Sequence, residues 1–290
     1  MNDFVILTDS CCDLPAELAQ KWELEVLPLS VHLGEQEFLN DLDGRSISFH
    51  EFYEQLRNEA LCTTAAVNMG TFQQKMETLL KQGKDVLCIL FSSGLSNTYN
   101  AGQLAAKELV DKYPERKLYT VDSLCASLGQ GLLIAHAVEL RKSGKSIEQV
   151  RDWLEENKLK LCHWFTVDDL NHLKRGGRVS SATALIGTVL GIKPVLHVDD
   201  EGHLINVGKA RGRKASLSAL VDQMEETMID PEKQMIYISH GDCLEDAEWV
   251  RDEVLRRFHV KEVLINYVGP VIGAHSGPGT VALFFLGIHR

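Results

Sequence analysis

The chain has 290 residues, of which 44% are hydrophobic and 24% charged, values typical of a globular protein with one large domain or two ordinary ones. Its 30 basic and 41 acidic residues give a formal charge of −11, which argues against a nucleic-acid-binding surface. No apolar run approaches the ~20 residues of an integral membrane segment. The N-terminus also lacks the pattern of a signal peptide, so we expect a cytoplasmic protein.

One kind of junction recurs in the first half of the chain. An apolar, strand-like run ends in small hydroxyl residues and is followed by a helix-like segment, at residues 4–10, 86–94 and 118–123. In an open α/β sheet, ligands bind beyond the carboxyl ends of the strands, where helix N-termini supply free N–H groups. The repeated junction therefore predicts a site for a small ligand with an acidic head. The helices predicted in this half share amphipathic spacing or an N-terminal cap: 16–22, 52–56, 97–113, 129–141 and 150–154.

A second set of strands and helices begins near residue 160. Its predicted elements alternate in type and comprise a strand at 161–166, a hairpin of 194–198 with 203–207, and a strand–helix–strand unit of 235–239, 244–258 and 263–268. Alternation of strands and helices predicts an α/β fold. We expect two α/β domains, residues 1–158 and 159–290, with the ligand in the cleft between them.

Hydroxyl groups are densest at Ser92-Ser93-Gly94, directly after a fully apolar strand. A cap on the following helix explains the downstream hydroxyls, but it does not explain Ser93, which we expect to contact the ligand. The segment 62–66 carries Thr63 and Thr64 between two predicted helices and is by itself a weak signal, typical of a turn. Asp9-Ser10 and Asp122-Ser123 fit a turn and a site equally well.

A segment rich in glycine and proline, residues 269–280, is the second strong signal. Four glycines and two prolines in these twelve residues predict a fixed loop of unusual backbone angles. His275 and Ser276 stand at its centre, and a helix is predicted over 281–286. The segment has no P-loop pattern, so we expect His275 to bind an acidic group.

Catalysis, metal binding and redox chemistry are weaker interpretations. Ser93 and His275 could form a nucleophilic pair, but the G-x-S-x-G elbow and a third, orienting residue are absent. The eleven histidines include no H-E-x-x-H pattern, so neither a metal nor a cofactor is expected. Seven cysteines without a C-x-x-C pair indicate a reduced protein; the adjacent Cys11 and Cys12 leave a redox role open, although no cation stands beside them in the sequence.

A basic segment stands out on this acidic chain, Lys174 to Arg178, with further cations between residues 209 and 214. Such a cluster is either a solvated face or a docking surface for an anionic partner. Composition alone slightly favours docking.

Taken together, several segments resemble the DegV family of bacterial fatty-acid-binding proteins. They follow one another in order along the whole chain: 8–15, 92–98, 121–123, 173–180, 193–194 and 269–279. The resemblance implies a long-chain fatty acid held between two α/β domains. It also implies that the carboxylate is bound by a threonine of the 62–66 segment, by Ser93 with Gly94, and by His275 with Ser276. Because this segment reads Thr63-Thr64-Ala65-Ala66 where the family usually has Thr-Ser-Gln-Pro, the choice between Thr63 and Thr64 stays open.

The resemblance further implies a partner protein. Characterised members serve as the binding subunit of fatty acid kinase, presenting the carboxylate to a separate catalytic subunit that forms an acyl phosphate. Arg175 and Arg178 would then lie where this partner docks. We therefore expect a lipid-binding carrier with no catalysis of its own. The alternatives are a Ser93-dependent esterase or thioesterase, and a lipid-binding regulator that works without a kinase.

Overall fold

A computed structural model describes residues 4–179 and 191–290 of the chain. Ser180, the last residue of one of the DegV-like segments, lies outside these ranges. The strands are β1 Phe4–Asp9, β2 Glu25–Leu27, β3 Ser30–Leu33, β4 Gln36–Leu39, β5 Cys62–Ala65, β6 Asp85–Leu90, β7 Leu118–Asp122, β8 Leu161–Thr166, β9 Ile192–Val198, β10 Leu204–Arg211, β11 Met235–His240, β12 Glu262–Tyr267 and β13 Val281–Leu286. The helices are α1 Ala16–Lys21, α2 Phe49–Arg57, α3 Met69–Lys81, α4 Thr98–Val110, α5 Leu128–Lys142, α6 Ile147–Asn157, α7 Asn171–Gly176, α8 Arg213–Thr227, α9 Leu244–Arg257 and α10 Pro270–Ser276.

The first half of the chain forms a parallel sheet in the order β2-β1-β6-β7. Its central strands are continuous apolar runs because both faces of the sheet are covered. One face packs against α3 and α4, where Phe72 and Leu109 are buried. The other packs against α5 and α6, where Leu132 and Leu154 are buried. This arrangement confirms the α/β fold class predicted from the sequence, although β2, β3 and β4 follow one another without a helix between them.

The second half forms a six-stranded mixed sheet in the order β10-β9-β8-β13-β11-β12. Only the pair β11–β12 is parallel, and the other pairs are antiparallel. The predicted hairpin is confirmed as β9–β10, and the predicted strand–helix–strand unit as β11–α9–β12. The same apolar core that covers one face of the first sheet also contains Tyr237 and Phe284 of the second, and α5 lies between the sheets and contacts strands of both.

The helix predicted over residues 281–286 is wrong, because this segment is β13 at the centre of the second sheet. It pairs with β8 on one side and with β11 on the other. Both faces of the strand are buried, so its sequence is apolar at successive positions and carries no alternation that would distinguish a strand from a buried helix.

The turn predicted for residues 62–66 is also wrong. Residues Cys62–Ala65 form β5, an edge strand of a small antiparallel sheet in the order β4-β3-β5. Helix α2 covers this sheet, and its Tyr53 hydroxyl donates a hydrogen bond of 2.7 Å to the carbonyl of Val268. That bond ties the small sheet to the segment leading into α10.

The glycine- and proline-rich segment contains a short helix where a loop was predicted. Helix α10 begins with Pro270, a position at which proline is favoured, and ends at Ser276, before Gly277 with a φ of 81°. Gly269 and Pro270 thus mark the start of a helix and Gly277 follows its end, and His275 lies in its last turn.

The first sheet ends at Asp122 and the second begins at Leu161, with α5 and α6 between them. We retain the division into residues 1–158 and 159–290 as a proposal consistent with this arrangement. Among the described residues, no helix is both long enough and apolar enough to cross a membrane.

Candidate functional site

A cavity of about 220 Å³ is lined by residues from both halves of the chain. Most of its wall is apolar and includes Phe91 and Val271, as well as Phe165 and Phe284 of the second sheet. The polar side chains in the wall include Thr64, Ser127, Arg178, Ser239, His275 and Ser276. An apolar enclosure with a few polar groups is the usual form of a small-molecule site.

Thr64 and His275 form a hydrogen-bonded pair in this wall. The distance from Thr64 Oγ1 to His275 Nε2 is 2.9 Å. Burial, and secondarily the positive charge of Arg178, lowers the pKa of His275 to about 4. The imidazole is therefore neutral at neutral pH and carries one ring proton; when that proton is on Nε2 it is donated to Thr64 Oγ1, and the Thr64 hydroxyl is left free to donate to an acceptor.

A close approach of α7 to α10 positions the His275 ring. A Cβ atom at Gly176 would lie 2.1 Å from His275 Nδ1, so only glycine fits at this position without displacing the imidazole. The neighbouring Ser276 is buried, and its Oγ has no hydrogen-bond partner among the described residues. A buried hydroxyl without a partner is rare, and here it lies in the cavity wall, where a ligand would supply one.

The alternation of β5 separates the two candidate threonines. Thr64 is partly buried and lines the cavity, whereas its neighbour Thr63 is exposed. Successive side chains of a strand point to opposite faces. The geometry therefore favours Thr64 as the threonine that contacts a ligand.

Ser93 and Gly94 do not line this cavity. They lie in an adjoining, more open cleft. The N–H of Ser93 donates to Asp122 Oδ1 (3.1 Å), and the N–H of Gly94 donates to the hydroxyl of Ser92 (3.2 Å). The backbone N–H groups that the sequence suggested for an anion are thus engaged within the protein. The Ser93 hydroxyl remains available, since no hydrogen bond joins it to another of the described residues, His275 included.

Arg178 lines both the cavity and the open cleft. Its guanidinium donates to the carbonyl oxygens of Leu95 (3.3 Å) and Gly176 (2.6 Å), which holds it at the boundary between the two spaces. Arg175, one helical turn earlier, is exposed, and its guanidinium lies 3.1 Å from His172 Nδ1. A positive charge therefore stands where the cavity meets solvent.

The polar wall residues that sequence reasoning did not assign to the site include Ser127, His163 and Ser239. His163 is a structural group, since its Nδ1 lies 3.1 Å from the Leu161 carbonyl and its Nε2 accepts from the N–H of Ala126. Burial lowers its pKa well below the usual value, so the ring is neutral. Ser127, His163 and Ser239 are far apart in the sequence, and only the tertiary fold brings them to one cavity.

The adjacent cysteines and one surface group of possible metal ligands have structural explanations. Burial raises the pKa of the Cys11 and Cys12 thiols well above the usual range, so neither thiol is a reactive thiolate at neutral pH. Carboxylates of Glu54 and Asp242 approach His50 on the surface, but Arg57 already donates to both of them. This group is an ion-pair cluster.

The fold and the cavity define an α/β protein of two large sheets and one small sheet, with a largely apolar cavity lined by both halves of the chain. The chain belongs to the DegV family, because the family model described as "Uncharacterised protein, DegV family" matches residues 3–287. A DegV domain-containing protein of Clostridium perfringens is 45% identical over 287 residues, which cover 99% of this chain and 98% of the relative.

Solved structures of the family have the same fold. The structure titled "Fatty Acid Binding of a DegV family Protein from Thermus thermophilus" is 32% identical, with a TM-score of 0.89 over 99% of this chain and 100% of that one. The structure of DegV from Bacillus subtilis, described as a fatty acid binding protein, is 30% identical, with a TM-score of 0.85 over 99% and 100% of the two chains. The resemblance noted in the sequence is thereby confirmed.

Proposed function

We propose that the protein binds a long-chain fatty acid in the cavity, with the carboxylate toward Thr64 and His275. The observation that carries the proposal is the Thr64–His275 pair in the wall of an apolar enclosure. The similar proteins of Thermus thermophilus and Bacillus subtilis are described as binding fatty acids, which supports the same ligand class for this chain.

Simple energetics are consistent with such a ligand. Burying a methylene group contributes about 0.8 kcal/mol, so about ten methylenes contribute roughly 8 kcal/mol before the cost of association. The polar groups then need only to orient the head, and hydrogen bonds to a charged carboxylate are stronger than neutral ones. One of the two protons of the Thr64–His275 pair is used in their mutual hydrogen bond, so the pair supplies one donor, and the unpartnered Ser276 hydroxyl supplies a second.

We further propose that the protein is a carrier subunit that presents the carboxylate to a fatty acid kinase catalytic subunit, and that it catalyses no reaction itself. Support comes from the boundary position of Arg178 and from the open cleft beside it, where Ser93 and Gly94 would contact the carboxylate or the phosphate formed on it. Arg175 and Arg178 are both exposed and would meet the partner. The free thiol of Cys88, buried in β6, is compatible with the proposed cytoplasmic setting.

The carrier role is tested by adding the purified protein, loaded with oleate, to the fatty acid kinase catalytic subunit of the same organism with ATP. Acyl phosphate is trapped with hydroxylamine and measured as the hydroxamate. We expect product only when both proteins are present, and we expect Arg178→Ala to retain fatty acid while losing product. Lys145→Ala, which removes an exposed cation between α5 and α6 that lines neither space, is the control.

Two alternatives give different results in related assays. A Ser93-dependent esterase would hydrolyse p-nitrophenyl acyl esters and lose that activity in Ser93→Ala. A regulator without a kinase would bind fatty acid and give no acyl phosphate with any kinase subunit of the organism.

A further inference from the structure

Ser127 is held in an unusual backbone conformation beside the cavity. It joins the segment after β7 to the first residue of α5, with φ 54° and ψ −142°. Such angles are strained for any residue other than glycine, and they persist only where the surrounding structure enforces them. Because Ser127 is buried and lines the cavity, its conformation places a hydroxyl residue at the cavity wall.

Ser127 links a buried carboxyl group to a second serine. Its Oγ lies 2.6 Å from Asp13 Oδ2 and 3.0 Å from Ser239 Oγ, and Ser239 also lines the cavity. Burial raises the pKa of Asp13 to about 8, so this carboxyl group is mainly neutral at neutral pH. The three side chains come from the first strand–helix junction, the start of α5 and the end of β11.

Ser239 keeps unused hydrogen-bonding capacity, whichever direction the hydrogen bonds between Asp13, Ser127 and Ser239 run. If Asp13 donates to Ser127 and Ser127 to Ser239, the Ser239 proton has no acceptor among the described residues. If instead Ser239 donates to Ser127 and Ser127 donates to Asp13, the lone pairs of Ser239 Oγ accept no hydrogen bond from the described residues. In either direction Ser239 Oγ keeps hydrogen-bonding capacity at the cavity wall.

From this arrangement we infer that Ser239, positioned by Ser127 and Asp13, is a second polar contact for the ligand and favours acyl chains that carry a hydroxyl group. The inference rests on the proposed function, since it concerns which fatty acids the same cavity accepts. No hydrogen bond in the described residues joins Ser127 or Ser239 to Thr64 or His275, so the two pairs belong to different hydrogen-bond networks in the same wall. A ligand hydroxyl can both donate and accept a hydrogen bond, so it can pair with Ser239 whichever direction the hydrogen bonds of Asp13, Ser127 and Ser239 run.

The selectivity follows from the cost of burying a polar group. A hydroxyl placed in a wholly apolar cavity loses its hydrogen bonds to water without replacement, and the affinity falls. A hydroxyl placed against Ser239 regains a partner. An acyl chain without a hydroxyl group makes no hydrogen bond to Ser239, so its affinity does not depend on this contact.

The experiment measures dissociation constants of delipidated wild-type protein and of Ser239→Ala for stearate and for 3-, 10- and 12-hydroxystearate. Ser239→Cys, which nearly keeps the side-chain volume, serves as a second variant if Ser239→Ala is unstable. The matched control is Ser216→Ala, which removes another buried serine hydroxyl, one that donates to the Arg213 carbonyl and does not line the cavity.

Wild type should bind at least one hydroxystearate as tightly as stearate. Ser239→Ala should bind that same hydroxystearate about threefold to tenfold more weakly and leave stearate binding unchanged. Equal loss for stearate and hydroxystearate in the variant would overturn the inference, as would rejection of all three hydroxystearates by wild type. Failure of wild type to bind stearate would instead contradict the proposed function and remove the basis for the inference.

Discussion

Replacing Thr64 with valine removes one hydroxyl group from the proposed carboxylate site and keeps the shape of the side chain. In the structure this hydroxyl lies 2.9 Å from His275 Nε2 in the cavity wall. A hydrogen bond to a charged group contributes about 1.5–3 kcal/mol. The dissociation constant for stearate should therefore rise about 10- to 150-fold in Thr64→Val.

The neighbouring threonine gives a matched control, because Thr63 lies on the same strand with its side chain exposed. Thr63→Val should bind stearate as wild type does. Isothermal titration calorimetry on delipidated protein measures all three constants, and methyl stearate, which lacks the charge, should lose less than stearate in Thr64→Val. An unchanged constant for Thr64→Val, or an equal loss in Thr63→Val, would refute the proposed orientation of the ligand.

Three further predictions concern the surroundings of the cavity. The pKa of Asp13 is raised from 3.8 to about 8, so its contribution to stability is lost as the pH rises through this range. In wild type the unfolding free energy should therefore decrease by about 2 kcal/mol between about pH 6 and 8, and Asp13→Asn should abolish this decrease. Urea titrations across this pH range measure both proteins, and the same pH profile in the two would contradict the assigned neutral carboxyl group. Gly176→Ala should displace His275 and weaken stearate binding while the protein stays folded. The control is Gly208→Ala, where a Cβ would lie 3.6 Å from its nearest neighbour and stearate binding should be unchanged. Equal stearate affinity in the two variants would show that the close approach at Gly176 is unimportant. Ala282→Leu should fill part of the cavity and weaken the binding free energy of stearate by about 2 kcal/mol, from about three displaced methylenes, and that of laurate by less. An equal loss of affinity for both ligands in a displacement assay would argue against an acyl chain beside β13.

Much of the α/β order could be predicted from local patterns. The capping box of Ser146 and Gln149 marked the start of α6, and both of its hydrogen bonds are present in the structure. The hairpin β9–β10 followed from two apolar runs around a short polar turn. These signals are local, so the sequence carries them without knowledge of the packing.

The failures arose where tertiary packing decides the structure. Val281–Leu286 is apolar throughout because β13 is buried between β8 and β11, and this pattern does not distinguish a strand from a buried helix. Thr64 became recognisable as the inward-facing threonine only once β5 paired with β3. Ser127 and Ser239 are more than a hundred residues apart, and no local pattern indicates that they meet.

Of the site residues predicted from the sequence, some line the cavity and others do not. His275 was singled out because of its glycine- and proline-rich surroundings, and the structure brings it to Thr64 in the cavity wall. Ser93 was singled out as the densest hydroxyl position, yet it lies in the adjoining cleft. Its role in binding a carboxylate stays a prediction that the affinity of Ser93→Ala for stearate would test.

The central claim is that this cavity holds one long-chain fatty acid, and mass spectrometry of an organic extract of the purified, denatured protein tests it most directly. We expect about one fatty acid per chain, with much less retained by Thr64→Val purified in the same way. A protein that yields no fatty acid and also takes up no added stearate or oleate would contradict the account.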